Sequence, residues 1–296
     1  MLTWEKQREM LLSSTIRLLR LPFSVFLSPL YFFALSQVPD INWNKAILIF
    51  FILHFLVYPA SNGYNSYMDR DTGSIGGLEY PPPPSRQLYF VTIILDFAAI
   101  MLGFLVNPVF GLVMPLYIGA SKAYSYRRIR LKKFPVIGYL TVIIFQGALT
   151  FWLVYYGSQN SPTLVVPWQG MLVSALLIGG FYPLTQIYQH RQDLDDGVKT
   201  ISYLLGYTGT FRFCALIYLL AWAFMAQFFV STNQADRLLL VSIFFIPVIV
   251  YFCWWYMAVT KDNTAASFRN TMKMNWLAAV CTNTAFIILL IWNYFE

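Results

Sequence analysis

Asn65 and Asp69 stand four residues apart in the run Asn62-Gly63-Tyr64-Asn65-Ser66-Tyr67-Met68-Asp69-Arg70-Asp71-Thr72-Gly73. On a helix, positions i and i+4 share a face, one turn apart. Two oxygen-bearing side chains so placed suit one hard cation. Magnesium suits them best, because it takes few protein ligands and fills its octahedron with water and phosphate oxygen. The same residues also suit a solvated helix end at a membrane surface, and this fragment alone leaves both readings open. A second polar run, Tyr182 to Thr200, sets Gln186, Gln189, Asp193 and Asp196 at spacings of three and four. That pattern again makes one polar face on a helix leaving the membrane. Asp193, Asp195 and Asp196 repel one another unless a cation or basic groups neutralise them. A solvated acidic helix end is the alternative, weakened because the same organisation occurs twice. Two such ends facing each other across a bundle are what a magnesium–diphosphate group requires, with carboxylates on the metal and metal on the phosphate oxygens.

A third cluster is basic: Lys122, Arg127, Arg128, Arg130, Lys132 and Lys133, around Tyr124 and Ser125. Such a loop anchors to anionic lipid or binds phosphate directly, arginine as a bidentate fork and lysine as a point charge. Both readings stand for different residues here. Asp96 lies inside an apolar run, and an intramembrane carboxylate is a functional candidate by default; a bonded structural role inside the bundle is the alternative. Other chemistry is not signalled. His54 and His190 have no ligand-spaced partner. There is no phosphate-binding glycine loop, dinucleotide fingerprint or nucleophile elbow. Cys214, Cys253 and Cys281 sit in apolar runs and read as packing residues.

The elements that must position these residues are membrane helices. Only 11% of the 296 residues are charged and 58% are hydrophobic, against about 25% charged in an average soluble domain. That excludes a soluble globular enzyme, a disordered chain and a disulfide scaffold. A bilayer core needs about 20 apolar residues per helix. Nine segments approach this, near 18–36, 46–65, 88–106, 108–126, 136–156, 168–188, 206–230, 238–259 and 275–293. The third and fourth are joined only by Asn107-Pro108 and form a hairpin. The charged first 17 residues and the long first apolar run do not read as a cleaved signal peptide. With the N-terminus inside, 18 of the 20 lysines and arginines fall on one side, including Lys6 and Arg8; Lys45 and Arg237 alone fall on the other. The positive-inside rule then gives an all-α, nine-transmembrane-helix bundle, N-terminus cytoplasmic and C-terminus on the opposite side. The inside loops hold every polar cluster above. The outside loops read as plain connectors.

Together these residues resemble the UbiA family of intramembrane prenyltransferases. The resemblance covers nearly the whole chain, as one domain over residues 1–296. It rests on two Asp-rich motifs after helices two and six, Arg20-Leu21-Pro22 in helix one, and Tyr124-Ser125 through Arg130-Leu131-Lys132 after helix four. The second motif also runs into Gly197-Val198-Lys199-Thr200, as in family members. The first motif departs from the family's N-D-x-x-D-x-x-x-D. Here Ser66 and Gly73 replace carboxylates. In the second motif Gln189 stands where the family has aspartate.

The resemblance implies transfer of an isoprenyl group from an isoprenyl diphosphate to a lipophilic acceptor, most often an aromatic ring, with magnesium assisting loss of diphosphate. It implies magnesium contacts at Asn65, Asp69, Gln189 and Asp193, with Asp71 and Asp196 as further ligands. Arg20, Ser125, Arg130, Lys132 and Lys199 become diphosphate contacts. Tyr124 falls near the reacting carbon, with Asp69 and Asp193 as the catalytic carboxylates. The partners are then the diphosphate, the acceptor and membrane lipid, not nucleic acid. A membrane terpene cyclase, a prenyltransferase of non-aromatic lipids, and a non-catalytic diphosphate-binding or transport homologue are the alternatives.

Overall fold

The computed structural model describes residues 4–295, with side chains from residue 11 onward. The side chains of Lys6 and Arg8, counted above, lie outside the described residues. Regular structure among the described residues is all helix, apart from isolated β-bridges at Ile41–Gln159 and Ile75–Leu78. The α-helices in chain order are α1 (Trp4–Leu19), α2 (Ser28–Ser36), α3 (Trp43–Phe51), α4 (Tyr58–Asp69), α5 (Arg86–Val106), α6 (Pro108–Ser125), α7 (Pro135–Val142), α8 (Thr150–Gly157), α9 (Trp168–Gln186), α10 (His190–Asp195), α11 (Ile201–Ser231), α12 (Ala235–Lys261) and α13 (Phe268–Phe295). Two π-helical stretches, Ile52–Val57 and Ile143–Leu149, join α3 to α4 and α7 to α8.

Among the described residues six rods are long and apolar enough to cross a bilayer: Trp43–Asp69, Arg86–Val106, Pro135–Gly157, Ile201–Ser231, Ala235–Lys261 and Phe268–Phe295. The pair Leu11–Phe26 and Ser28–Ser36, bent by 41°, makes a seventh if it counts as one span. α6 and α9, of 18 and 19 residues, are helices at two further expected positions. Each carries an internal proline, Pro115 and Pro183.

Local chemistry explains the joints. The Asn107 side chain accepts from the Phe110 N–H at 2.8 Å, and Pro108 follows at the first helical position. That cap starts α6 one residue after α5 stops, and the two helices pack as the expected hairpin. Ser85 and Thr200 cap α5 and α11 in the same way.

The chain divides into two compact units. The first comprises residues up to 24 and 47–131; the second comprises 25–46 and 132–296. In the first unit α1, α4, α5 and α6 pack on one another. Its small core joins Leu18, Leu19, Ile75 and Leu88. The loop after α4 is tied to α1 and to the residue that follows it by three side chains. Ser14 donates to the Pro83 carbonyl at 2.8 Å, Arg17 to Tyr80 at 3.2 Å and Arg20 to Gly76 at 3.1 Å. His54 is buried, with Nδ1 3.1 Å from the Phe50 carbonyl and its ring stacked on Phe50. This is a packing histidine.

In the second unit α9 packs on α11 and α12 on α13, around Leu184, Ile187, Phe211, Cys214 and Trp255. α9 also lies against the π-helical stretch at Gly147, where a Cβ would stand 2.6 Å from the Ala175 Cα. Backbones this close need a residue without a side chain. Arg237, one of the two cations expected outside, is buried and neutralised locally. It donates to both Asp236 oxygens, at 2.7 and 2.8 Å, and to Asn293 at 3.2 Å. This unit also encloses a cavity of about 610 Å³, walled by Phe26, Phe181, Trp222, Phe252, Met274 and Phe286 among other apolar side chains.

Candidate functional site

In the first unit the site is built on the C-terminus of α4. Asn65 and Asp69 both lie on this helix, one turn apart as the spacing predicts. α4 stops because Arg70 adopts left-handed backbone, φ 57°, while its N–H still bonds the Ser66 carbonyl. Asp69 is buried, 7% exposed.

The end of α6 and the turn after it supply partners from some sixty residues further along. Ser125 Oγ donates to Asn65 Oδ1 at 2.6 Å. Arg130 pairs with Asp69, Nη2 to Oδ1 3.4 Å. Arg127 donates to the Met68 carbonyl at 2.7 Å and to the Asp69 carbonyl at 3.1 Å. It thereby satisfies two of the four carbonyls that a helix end leaves open. Its role as a cap was not assigned from the sequence. The only available sign was a basic residue in a loop, which says nothing about which helix it closes.

Arg20, Arg70 and Arg130 all have positive φ, at 50°, 57° and 48°. Residues other than glycine seldom adopt this, at a cost on the order of 1–3 kcal/mol each, and such strain gathers at functional sites. Arg20 and Arg130 are also buried. Of these, Arg130 is the one set against a carboxylate, that of Asp69.

Arg20, expected on the diphosphate, also binds backbone carbonyls through its terminal nitrogens. They donate to the Gly76 carbonyl and to the Asn62 carbonyl, each at 3.1 Å. Its guanidinium also lies over the Phe23 ring at 5.5 Å. Arg20→Met is therefore expected to loosen the loop after α4. Two carbonyls lose their donor, at about 1–3 kcal/mol for each that stays buried. Limited proteolysis should cut between residues 71 and 85 faster in the variant; an unchanged cleavage rate would remove this anchoring role.

The missing carboxylate at Ser66 has a local explanation. Ser66 is 3% exposed and its hydroxyl has no hydrogen-bond partner. An aspartate in its place would bury a charge with no donor to meet it. Asp71 and Gly73 lie in the partly exposed turn beyond α4. Tyr124 is half-buried on the last turn of α6. Tyr64, Tyr67 and Tyr89 form an aromatic group alongside, Tyr67 and Tyr89 with ring centroids 5.2 Å apart.

The second unit carries the other motif. The expected continuous helical face is broken. α9 ends at Gln186, three residues turn, and α10 begins at His190. The chain there tightens to three-residue bonds, Ile187 to Leu184 and Gln189 to Gln186. Gln186 consequently turns inward, 7% exposed, and donates to the Tyr182 hydroxyl at 2.8 Å. It does not share a helix with the residues that follow.

Gln189, Asp193 and Asp196 remain half-buried around α10, while Asp195 and Lys199 are exposed. The Val198 N–H returns to the Asp193 carbonyl at 2.8 Å, over a left-handed Gly197. Lys132 is buried. His190 anchors this segment. Its Nε2 lies 2.8 Å from Ser202 Oγ, which lies 3.1 Å from Thr210 Oγ1. The imidazole stacks on Tyr207. Burial pushes it down to about 4, so it is neutral at pH 7. The same network holds the start of α11, where Gly206 at φ 70° kinks the helix.

The donors at both motifs are oxygens of Asn, Gln and Asp. Among the described residues no three or more His, Cys, Asp or Glu side chains gather into a metal cage. That donor set fits a hard cation that takes one or two carboxylates and completes its shell with water and phosphate.

Comparison with known proteins places the sequence and the fold. No curated protein matches the sequence. Among solved structures, an apo UbiA homologue from Aeropyrum pernix K1 is similar at TM-score 0.67 and 16% identity, over 90% of this chain and 97% of that one. A UbiA homologue from Archaeoglobus fulgidus bound to DMAPP and Mg2+ has TM-score 0.67 and 19% identity, over 93% of this chain and 99% of that one. A digeranylgeranylglyceryl phosphate synthase structure has TM-score 0.60 and 18% identity, over 95% and 98%. At these identities the likeness is one of fold. The sequence itself matches the profile of the UbiA prenyltransferase family over residues 22–278. With apolar helices long enough to span a bilayer several times, and with that match over most of its length, this chain is an integral, multi-pass membrane protein belonging to the UbiA prenyltransferase family.

Proposed function

We propose that this protein transfers an isoprenyl group from an isoprenyl diphosphate to a lipophilic acceptor, an aromatic ring in the first instance, with magnesium as cofactor. In this reading the chain works as one catalytic domain with nine spans, N-terminus cytoplasmic, and the site opens on the cytoplasmic face. The observation that carries it is the first-motif cluster: Asn65 and Asp69 one turn apart, with the buried, strained Arg130 on Asp69. The Archaeoglobus relatives with DMAPP or GPP and Mg2+ support the choice of ligand.

In the first unit Asn65 and Asp69 are the magnesium ligands of this proposal, with Asp71 as a further oxygen; in the second unit they are Gln189 and Asp193, with Asp196 as a further oxygen. When bound, magnesium neutralises diphosphate charge and so eases departure of the leaving group. Arg130, Lys132 and Lys199 stabilise the same charge as it grows on the leaving oxygens. Ser125 holds the Asn65 amide, and Arg20 holds the loop after α4. The allylic C–O bond breaks with its electron pair going to diphosphate. The acceptor ring then forms the C–C bond and loses its proton. Tyr124, with the faces of Tyr67 and Tyr89, is suited to stabilise the allylic cation. The apolar cavity of the second unit suits a hydrocarbon tail.

The test uses purified protein, radiolabelled isoprenyl diphosphates and an acceptor pool extracted from membranes. A prenylated product that needs magnesium and disappears with EDTA is the expected result. Product formation unaffected by EDTA would overturn the reading. A cyclic hydrocarbon formed without acceptor would make the protein a cyclase. Calorimetric diphosphate binding without turnover would make it a binding or transport homologue.

A further inference from the structure

Asp96 and Lys122 form an ion pair inside the first unit that the proposed reaction does not use. Lys122 Nζ lies 2.6 Å from Asp96 Oδ2, and the two side chains are 18% and 10% exposed. The same Nζ sits over the Tyr64 ring, 4.1 Å from its centroid. Tyr64 is the neighbour of Asn65. The pair therefore ties α5, through Asp96, and α6, through Lys122, to α4 at the first motif.

The other polar contacts between α4 and α6 fall in the same register. Ser61 and Ser121 hydroxyls are 2.7 Å apart, and one turn later Ser125 donates to Asn65 Oδ1 at 2.6 Å. Ser61, Tyr64 and Asn65 thus face Ser121, Lys122 and Ser125 along one seam. An amide has two unlike ends, and only its carbonyl oxygen can ligate a cation. The Ser125 hydroxyl, 2.6 Å from that oxygen, holds it on the α6 side of the seam. A slip or rotation of α6 would release it. The charged contact is the strongest element of the seam: a cation on both a carboxylate and an aromatic face admits little rotation of either helix.

We propose that Asp96 and Lys122 are positioning residues for the metal site: through Tyr64 they fix the register of α6 on α4 and thereby the orientation of the Asn65 amide. This rests on the metal-dependent reading above. In this proposal both act through Tyr64 and the α4–α6 seam rather than as ligands.

The test measures Mn2+ binding to the full-length protein in nanodiscs, with inorganic pyrophosphate present, by loss of the free Mn2+ EPR signal. Thermal midpoints are recorded in parallel. Replacing both partners of a buried pair by neutral side chains of similar size leaves folding near neutral. D96N/K122M is thus expected to keep the wild-type midpoint and to bind Mn2+ about tenfold more weakly, the size seen when supporting contacts of metal ligands are lost. A pair with a merely structural role would recover both. D96N/K122M that folds and binds Mn2+ like wild type overturns the proposal.

Should the double variant fail to fold, Tyr64→Leu removes the aromatic contact and leaves the ion pair in place. Its Mn2+ affinity is expected to fall about threefold, and unchanged affinity overturns the proposal. Wild-type protein that binds no Mn2+ with pyrophosphate takes down the metal-dependent reading together with this one. Wild-type binding beside an unaffected, folded variant takes down only the positioning role.

Discussion

Asparagine in place of Asp69 is expected to lower magnesium-dependent transfer by about 10²–10³-fold, the usual cost of losing one group that stabilises charge in the transition state. The argument is electrostatic. Asp69 is buried and offers the only carboxylate on the α4 face that carries Asn65. Asparagine keeps its volume and one ligating oxygen but removes the charge that draws a cation. The stabilisation is needed as the C–O bond breaks, so kcat should carry most of the loss and KM for the diphosphate less.

The ion partner complicates the single substitution. Arg130 sits 3.4 Å from the Asp69 carboxylate. Removing the charge from one side of a buried ion pair costs up to about 3–5 kcal/mol. Activity must therefore be normalised to folded protein, measured by size-exclusion chromatography. Asp69→Asn combined with Arg130→Gln should recover folding and not turnover. Asp71→Asn, in the partly exposed turn, should lose less than Asp69→Asn. Folded Asp69→Asn protein with turnover within twofold of wild type would remove Asp69 from the machinery.

The largest effect on folding is expected at Gly147. A Cβ there would stand 2.6 Å from the Ala175 Cα, 2.9 Å from its nitrogen and 2.9 Å from the Ser174 carbonyl oxygen. All three are backbone atoms of α9, so no rotamer change relieves the clash. The π-helical stretch and α9 would have to part along their contact. Gly147→Ala is expected to cost about 1–3 kcal/mol, the range for overpacking a tight core, and Gly147→Leu to abolish folded protein. Gly119 is the control. It lies within α6 with nothing inside 4 Å of its Cβ position. Gly119→Ala should be neutral or stabilise by up to about 1 kcal/mol, because alanine is the better helix former. Thermal unfolding in detergent compares the three. Gly147→Ala as stable as Gly119→Ala would show that the two segments do not need this close approach.

Reading along the chain goes furthest where the relevant physics is local. The placement of Asn65 and Asp69 on one helix face needed only 3.6 residues per turn, and α4 bears it out. The hairpin at Asn107-Pro108 needed only a capping side chain and a proline at the first helical position. Reading fails at the second motif. The spacing of Gln186, Gln189, Asp193 and Asp196 fits a helix, yet the chain turns through three-residue bonds after Gln186 and α10 starts afresh at His190, a break that side-chain spacing does not record. Asp96 was visible as an unusual carboxylate. Its partner was not, because Lys122 looked like one of six cations in a basic loop.

The scarcity of charge determines that this chain lives in lipid. The backbone there must satisfy itself in helices, and helical spacing then determines which motif residues are neighbours on one face. None of this depends on how the helices pack. Packing alone decides that Ser125 meets Asn65, that Arg127 and Arg130 close the end of α4, and that Arg20 ties down a loop. These contacts join residues that are 42 to 61 positions apart. Sequence periodicity carries no information over such distances, because the pairing is set by crossing, register and close approach of whole helices. Only the folded chain brings those atoms within hydrogen-bond reach.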